Sequence, residues 1–351
     1  MRGWENNVRR VTPYTPGEQP KDSRMIKLNT NENPYPPGPG VKRALDALCA
    51  DEFRLYPDPT AGDLVHALAE NYHLSDDQVF VGVGSDDVLA MCFMTFFNSE
   101  KPLLFPDITY SFYDVWAELL HIPYKRIPLD GNFNIRPEDY LTDCGGIVFP
   151  NPNAPTGVEL APEKVEEIVR SHPDVIVIVD EAYVDFGGVS ALPLIEKYDN
   201  VIIVQTFSKS RSMAGMRIGY AMASPDLIRY LNDVKYSFNS YTMSRAAIAC
   251  GVGALEDRAY FEETCQKIIE TREWAKEELK NLGFTFGDSR ANFIFARHSS
   301  IPAEELFNAL REKHIYVRYF KKERIDDYLR ITIGTREEME ELFAFLREYI
   351  R

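Results

Sequence analysis

Residues 200–220 read NVIIVQTFSKSRSMAGMRIGY. Val201–Val204 is an apolar, β-branched run, as expected of a strand buried on both faces. It empties into a hydroxyl-rich turn where Lys209 stands between Ser208 and Ser210, with Thr206 just upstream and Arg217 eight residues downstream. A lysine in a turn is ordinarily solvated. One held against a packed core loses hydration, and its amine becomes available as a nucleophile. Hydroxyls and a guanidinium beside it suit a phosphate. The stretch therefore predicts a Schiff-base lysine next to a phosphate cup, and the rest of the chain must supply what that chemistry needs.

Upstream, the strand-then-turn pattern recurs. QVFVGVG, PLLF, YKRIPL, GGIVF and DVIVIVDEAY read as strands, and SDDVLAMCFMTFF, TYSFYDVWAELL and APEKVEEIVRSH as helices between them, the first with Ser85 as N-cap. Strands alternating with helices predict an α/β fold whose large domain is a mostly parallel sheet sandwiched by helices. Ligands of such sheets bind at the carboxyl ends of the strands, so the informative residues are those just past each apolar run. Downstream of about residue 224 helices dominate, including a long one from about 257 to 282 that ends at Gly283. NFIFAR, HIYVRYF and YLRITIG then form a second strand set, and a capping box at Thr335–Glu338 opens the last helix. We expect an N-terminal arm over 1–27, a large domain over 28–256 and a smaller α+β domain over 257–351 that packs with part of the N-terminal segment. The Pro/Gly/Asn-rich stretch before residue 41 reads as an arm lying on a neighbour, with a short strand at Met25–Leu28.

Composition narrows the function. The net charge of −15 argues against a nucleic-acid surface, which wants a basic patch. The 5 cysteines are scattered without a C-x-x-C pair, as in a reducing, cytoplasmic compartment. The 6 histidines show no metal-ligand spacing, so no metal is expected. No apolar run approaches membrane length, and the N-terminus has no apolar core, so neither a span nor a signal peptide is expected.

At the strand ends, GVGSDD puts Gly84, Ser85 and Asp86 at a helix N-terminus, whose free N–H groups either attract an anion or are merely capped. Tyr110, past PLLF, either stacks on a planar ligand or packs in the core. Asp180 ends an almost wholly apolar strand. A carboxylate there needs a cation or donors, which could be a helix cap, an ion pair or the ring nitrogen of a heteroaromatic ligand. Tyr183 could then donate to a ring oxygen. In PNPNAPTG, Asn153 is a donor to a ring substituent or the head of an Asx-turn. An anion cup (with Thr206, Ser208 and Arg217), a stacking ring, a ring-nitrogen partner and a lysine are together what pyridoxal 5′-phosphate requires.

GVGSDD, PNPNAPTG, DEAY, the Ser-Lys turn with its arginine and LRITIGT resemble the fold-type I, class II pyridoxal-phosphate aminotransferases, and within them the histidinol-phosphate aminotransferase family. The likeness spans VTPYTPGE, LNTNENP, LYPDPT, YVRYF and YLRITIGTREE as well. It implies that Lys209 bonds the cofactor and shuttles a proton, Asp180 pairs with the ring nitrogen, Tyr183 with the phenolic oxygen, and Tyr110 stacks. Arg217, Ser208 and the Ser85 and Asp86 amides would hold the phosphate. Tyr56 would reach across a homodimer interface to the other subunit's cofactor. Arg330, Arg318 and Tyr14 would bind substrate anions, and Asn292 would lie at the pocket rim. One departure is Ala154, where the family usually has the ring-contacting asparagine.

The activity so implied is transfer of an amino group from L-histidinol phosphate to 2-oxoglutarate, in histidine biosynthesis. The alternatives on the same fold are an aromatic amino acid aminotransferase and a threonine-phosphate decarboxylase. A pyridoxal-phosphate-binding regulator would need a DNA-binding region for which neither terminus has room or charge. A plain scaffold would leave Asp180 and Lys209 without a purpose.

Overall fold

The computed structural model describes residues 2–20 and 25–350. After a two-residue strand, β1 (Ile26–Lys27), seven strands build one sheet: β2 (Val79–Gly82), β3 (Leu103–Pro106), β4 (Tyr124–Ile127), β5 (Gly146–Pro150), β6 (Val177–Asp180), β7 (Val201–Thr206) and β8 (Gly219–Met222). Their order is β2-β8-β7-β6-β5-β3-β4. Neighbours run parallel except at β8, which is antiparallel to both β2 and β7. The sequence reading had no strand at β8. The chain reverses through Arg217, whose φ of 55° is left-handed, and Gly219–Met222 returns along β7.

Every residue of β7 is buried, because both faces of the sheet are covered. Val201 and Ile203 point into one core with Val177, Val179 and residues of α2 (Gly62–Tyr72) and α5 (Pro162–Ser171), which follow the short α1 (Pro39–Asp46) and flank the sheet. Ile202 and Val204 point into the other, with α3 (Ser85–Phe96), α4 (Phe112–Leu120) and α6 (Pro225–Phe238). Each such side chain contributes about 1.5–3 kcal/mol by leaving water. The opposing cores explain why the strand reads as continuously apolar rather than alternating.

After α7 (Arg245–Glu256), the 24-residue α8 (Arg258–Asn281) leads into a third core. There β9 (Phe284–Phe286), β10 (Phe293–His298), β12 (Arg318–Tyr319) and β13 (Leu329–Thr332) form an antiparallel sheet in the order β12-β13-β10-β9, packed with α9 (Ala303–Glu312) and α10 (Arg336–Tyr349). Ile26 and Leu28 belong to this core, since β1 pairs in parallel with β11 (Ile315–Tyr316). HIYVRYF, read as one strand, is therefore two: β11 follows β1 while β12 follows β13. The capping box is present, with Thr335 Oγ1 accepting from the Glu338 N–H at 3.2 Å. At α3, by contrast, Gly84 takes the N-cap position and Ser85 is the first helical residue. No described helix is long and apolar enough to cross a membrane.

Candidate active site

The turn after β7 is built by its own hydroxyls. The Ser208 N–H donates to Thr206 Oγ1 at 3.1 Å, and the Met213 N–H closes back on the Phe207 carbonyl at 3.0 Å. From the other end of the chain, Asn33 Nδ2 donates to the carbonyls of Lys209 (3.2 Å) and Ser210 (3.1 Å). The Lys209 ammonium donates to the Thr30 carbonyl at 3.1 Å and lies 5.7 Å from the Tyr183 ring centroid. Two cavities, each about 170 Å³, share Lys209, Tyr183, Tyr110, Ala154 and Thr30.

The first cavity is lined by Ser85, Asp86, Asp180, Thr206, Ser208 and Arg217. Its floor is the N-terminus of α3, where Gly84 has a φ of +86° and no side-chain cap is present. A Cβ on Gly84 would stand 2.4 Å from Arg217 Nη2, and one on Gly219 2.3 Å from the Ser85 nitrogen, so glycine at both positions lets helix, strand and arginine converge. Arg217 Nη1 donates to Ser208 Oγ at 3.3 Å, and Nη2 pairs with Asp86 Oδ2 at 2.9 Å. Uncapped helix N–H groups, buried hydroxyls and a guanidinium at one point are a site for a phosphate.

At the other end stands Asp180. It is buried, and its carboxylate accepts from the Tyr113 hydroxyl (2.9 Å) and the Ala182 N–H (3.3 Å). Burial pushes its pKa up to about 6 against those hydrogen bonds. A carboxylate so deeply placed and so sparsely satisfied calls for a cation, and a protonated ring nitrogen is one. The Tyr110 hydroxyl donates to Asp86 Oδ1 at 2.6 Å, which fixes its ring between the two cavities. The residues present therefore fit pyridoxal phosphate: the α3 N-terminus and Arg217 would hold its phosphate, Asp180 would meet its ring nitrogen, and Lys209 would reach its aldehyde.

The second cavity brings Tyr14, Arg318, Arg330 and Phe320 together. Tyr14 stacks on Phe112 with ring centroids 4.3 Å apart. Arg330 donates to the Asn29 carbonyl at 3.0 Å while its Nε has no partner among the described residues, and burial lowers its pKa.

Two expected site residues are placed elsewhere. Asn153 is buried and lines neither cavity. Its amide donates to the Ile108 carbonyl and to Thr156 Oγ1 and accepts from Thr109, all at 3.0 Å, so the residue facing both cavities is Ala154. Asn292 is not at a rim: it is fully buried, and its Nδ2 is spent on the Asn31 carbonyl at 3.0 Å. Tyr56, expected to serve the other subunit's site, is 78% exposed, stacks on Tyr241 and lines neither cavity of its own chain.

Sequence reading missed the segment Asn29–Asn33, which touches Arg330, Lys209 and Tyr183 in turn, and it missed Tyr113. The density of polar side chains in LNTNENP was the available signal.

Residues 23–346 match the family model for "Aminotransferase class I and II". The chain belongs to this family, which makes it a pyridoxal-phosphate-dependent aminotransferase. Curated relatives narrow the branch. A histidinol-phosphate aminotransferase of Lactococcus lactis subsp. cremoris is 51% identical over 99% of this chain and 98% of its own length. One of Acinetobacter baylyi is 52% identical over 100% and 98%. The solved histidinol-phosphate aminotransferase of Sinorhizobium meliloti, in complex with pyridoxal-5′-phosphate, superposes with a TM-score of 0.84 at 25% identity, covering 92% of this chain and 90% of that one.

Proposed function

We propose that the chain transfers an amino group from L-histidinol phosphate to 2-oxoglutarate, giving 3-(imidazol-4-yl)-2-oxopropyl phosphate and L-glutamate, as a step of histidine biosynthesis. The observation that carries this reading is the second cavity. Its half-buried Arg330 has a buried Nε without a partner among the described residues, and Arg318 and Tyr14 share the space with it, next to Lys209. Both substrates carry an anion away from the reacting carbon, phosphate in one and carboxylate in the other, and a guanidinium fork fits either. The names of the relatives support histidinol phosphate as donor.

Pyridoxal phosphate, when bound, supplies an electrophilic aldehyde and an electron-withdrawing ring. Arg217, Ser208, Thr206 and the α3 N-terminus would hold its phosphate, and Tyr110 would cover the ring. Asp180 would keep a proton on the ring nitrogen. Lys209 would bond the aldehyde at rest. Freed by the incoming amine, its Nζ would take the proton from the substrate carbon and return it to the cofactor's former aldehyde carbon, two atoms away. The Thr30 carbonyl, as acceptor, orients that amine.

Replacing Arg330 with glutamine is expected to raise KM for both histidinol phosphate and 2-oxoglutarate by about ten- to a hundredfold, the worth of a hydrogen bond to a charged group. Steady-state assays across donors test the substrate directly. Faster turnover of phenylalanine would assign the site to an aromatic aminotransferase, and carbon dioxide release from threonine phosphate to a decarboxylase.

We also propose that two copies associate in the cytoplasm, with Tyr56 of the partner subunit completing the phosphate cup. In support, Tyr56 is exposed and stacks on the exposed Tyr241, and its chain neighbours Phe53 and Leu55 are exposed as well. Four of the five cysteines are buried free thiols, as suits a reducing compartment. Sedimentation equilibrium is expected to give a mass of two chains, and a single-chain mass would refute the association.

A further inference from the structure

We propose that Thr332 and Asn31 form a hydrogen-bond relay that aims the Tyr183 hydroxyl hydrogen into the cofactor cavity, making both of them positioning residues; this rests on the reading of Tyr183 as the donor to the cofactor's ring oxygen. The direction of each hydrogen follows from a donor that has no choice. The backbone N–H of Asn31 donates to Thr332 Oγ1 at 3.1 Å. Thr332 Oγ1 therefore accepts there, and its own hydrogen is directed to Asn31 Oδ1 at 3.0 Å. With Oδ1 so engaged, Asn31 Nδ2 is the atom that faces the Tyr183 hydroxyl, at 2.9 Å. The tyrosine oxygen accepts that bond, and no other described residue hydrogen-bonds to it. Its own hydrogen is free for an acceptor in the cavity.

The opposite amide orientation is disfavoured. It would put Nδ2 against an Oγ1 that already accepts the backbone, and leave the Thr332 hydrogen without an acceptor at a buried position. Asn31 and Thr332 are 1% and 2% exposed. Asn31 has a φ of +58°, a left-handed conformation that asparagine tolerates. From the other side Asn292 Nδ2 grips the Asn31 carbonyl at 3.0 Å. This gives a buried residue that lines no cavity a purpose in the site. The charged and titratable groups around Tyr183 are Lys209, 5.7 Å from its ring centroid, and Arg330, Tyr14 and Tyr113, none of them bonded to its hydroxyl.

A hydrogen donated to the ring oxygen stabilises the anionic form of that oxygen. It thereby weakens the oxygen's hold on the proton it shares with the Lys209 nitrogen, and lowers the pH at which that proton leaves. The test is a spectrophotometric pH titration of the bound cofactor in the holoenzyme. Thr332→Val keeps the β-branched shape and removes only the hydroxyl. It is expected to raise the midpoint by about one pH unit, within the range of one hydrogen bond to a charged group. Tyr183→Phe is expected to raise it at least as far, and Thr332→Val added to Tyr183→Phe to move it no further. Asn31→Asp, whose carboxylate would draw the Tyr183 hydrogen to itself, is expected to raise it further than Thr332→Val and serves if the valine variant does not fold. A midpoint that moves with Tyr183→Phe but not with Thr332→Val or Asn31→Asp would overturn the relay alone. So would a Thr332→Val shift that persists without the tyrosine hydroxyl. A midpoint unmoved by Tyr183→Phe would overturn the reading of Tyr183 beneath it.

Discussion

Replacing Lys209 with alanine is expected to abolish transamination, with a loss in kcat of at least about 10²–10⁴-fold, the usual contribution of a positioned general acid–base. Among the described residues that line the first cavity, Lys209 is the only primary amine. No neighbour can replace it: Arg217 is a guanidinium paired with Asp86, and the remaining side chains there are carboxylates, hydroxyls and apolar groups. Among the described residues the Lys209 amine makes a single hydrogen bond, to the Thr30 carbonyl, so its loss should leave the fold intact. The purified variant is expected to bind cofactor without a covalent link, seen as an absorbance like that of the free aldehyde. Added methylamine is expected to restore part of the rate, because it returns a base to the same place. Activity within tenfold of wild type would remove Lys209 from the chemistry.

Asp180→Asn is expected to act in two directions. With cofactor bound, it removes the carboxylate that holds the ring nitrogen's proton. Breaking a buried ion pair costs about 3–5 kcal/mol, which corresponds to a loss in kcat of about 150- to 5,000-fold. Without cofactor, the same carboxylate works against folding. Its pKa of about 6 lies above the value near 4 expected of an unfolded aspartate, so the folded state binds a proton that the unfolded state releases. The stability associated with that proton is fully present below about pH 4 and lost as the pH rises through about 6. Cofactor-free Asp180→Asn is therefore expected to melt higher than cofactor-free wild type at pH 7.5, and to lose that advantage at pH 4. Thermal melts of both forms at the two pH values check this. A variant equally destabilised at both would mean that Asp180 is a structural acceptor for Tyr113 and little more.

What could be read from the sequence was local. The Val201–Thr206 run, the turn with Lys209, the glycine turn before α3 and Asp180 at the end of β6 are each decided within a few residues, and a parallel sheet gathers strand ends without further instruction. What could not be read depends on distant partners. Thr30 meets Lys209 across 179 residues, and Asn31 meets Thr332 across 301. The polar run LNTNENP looks the same whether it is solvated or laid through a site. Tyr113 sits on a helix whose apolar face gave no sign that one hydroxyl would reach Asp180. Asn153 shows the converse error: its residue type and turn were right for a ring donor, but the Ile108 carbonyl and Thr156 claim its amide. Ser85 gave way to Gly84 at the helix cap because Arg217 leaves no room there for a side chain.

The most direct test of the central claim is the half-reaction of the holoenzyme with L-histidinol phosphate in the absence of any 2-oxo acid, followed by absorbance. Stoichiometric conversion of the aldehyde form of the cofactor to its amine form is expected, with release of one equivalent of the oxo phosphate, and reversal on adding 2-oxoglutarate. A spectrum unchanged at saturating histidinol phosphate, from enzyme that another amino donor converts readily, would contradict it.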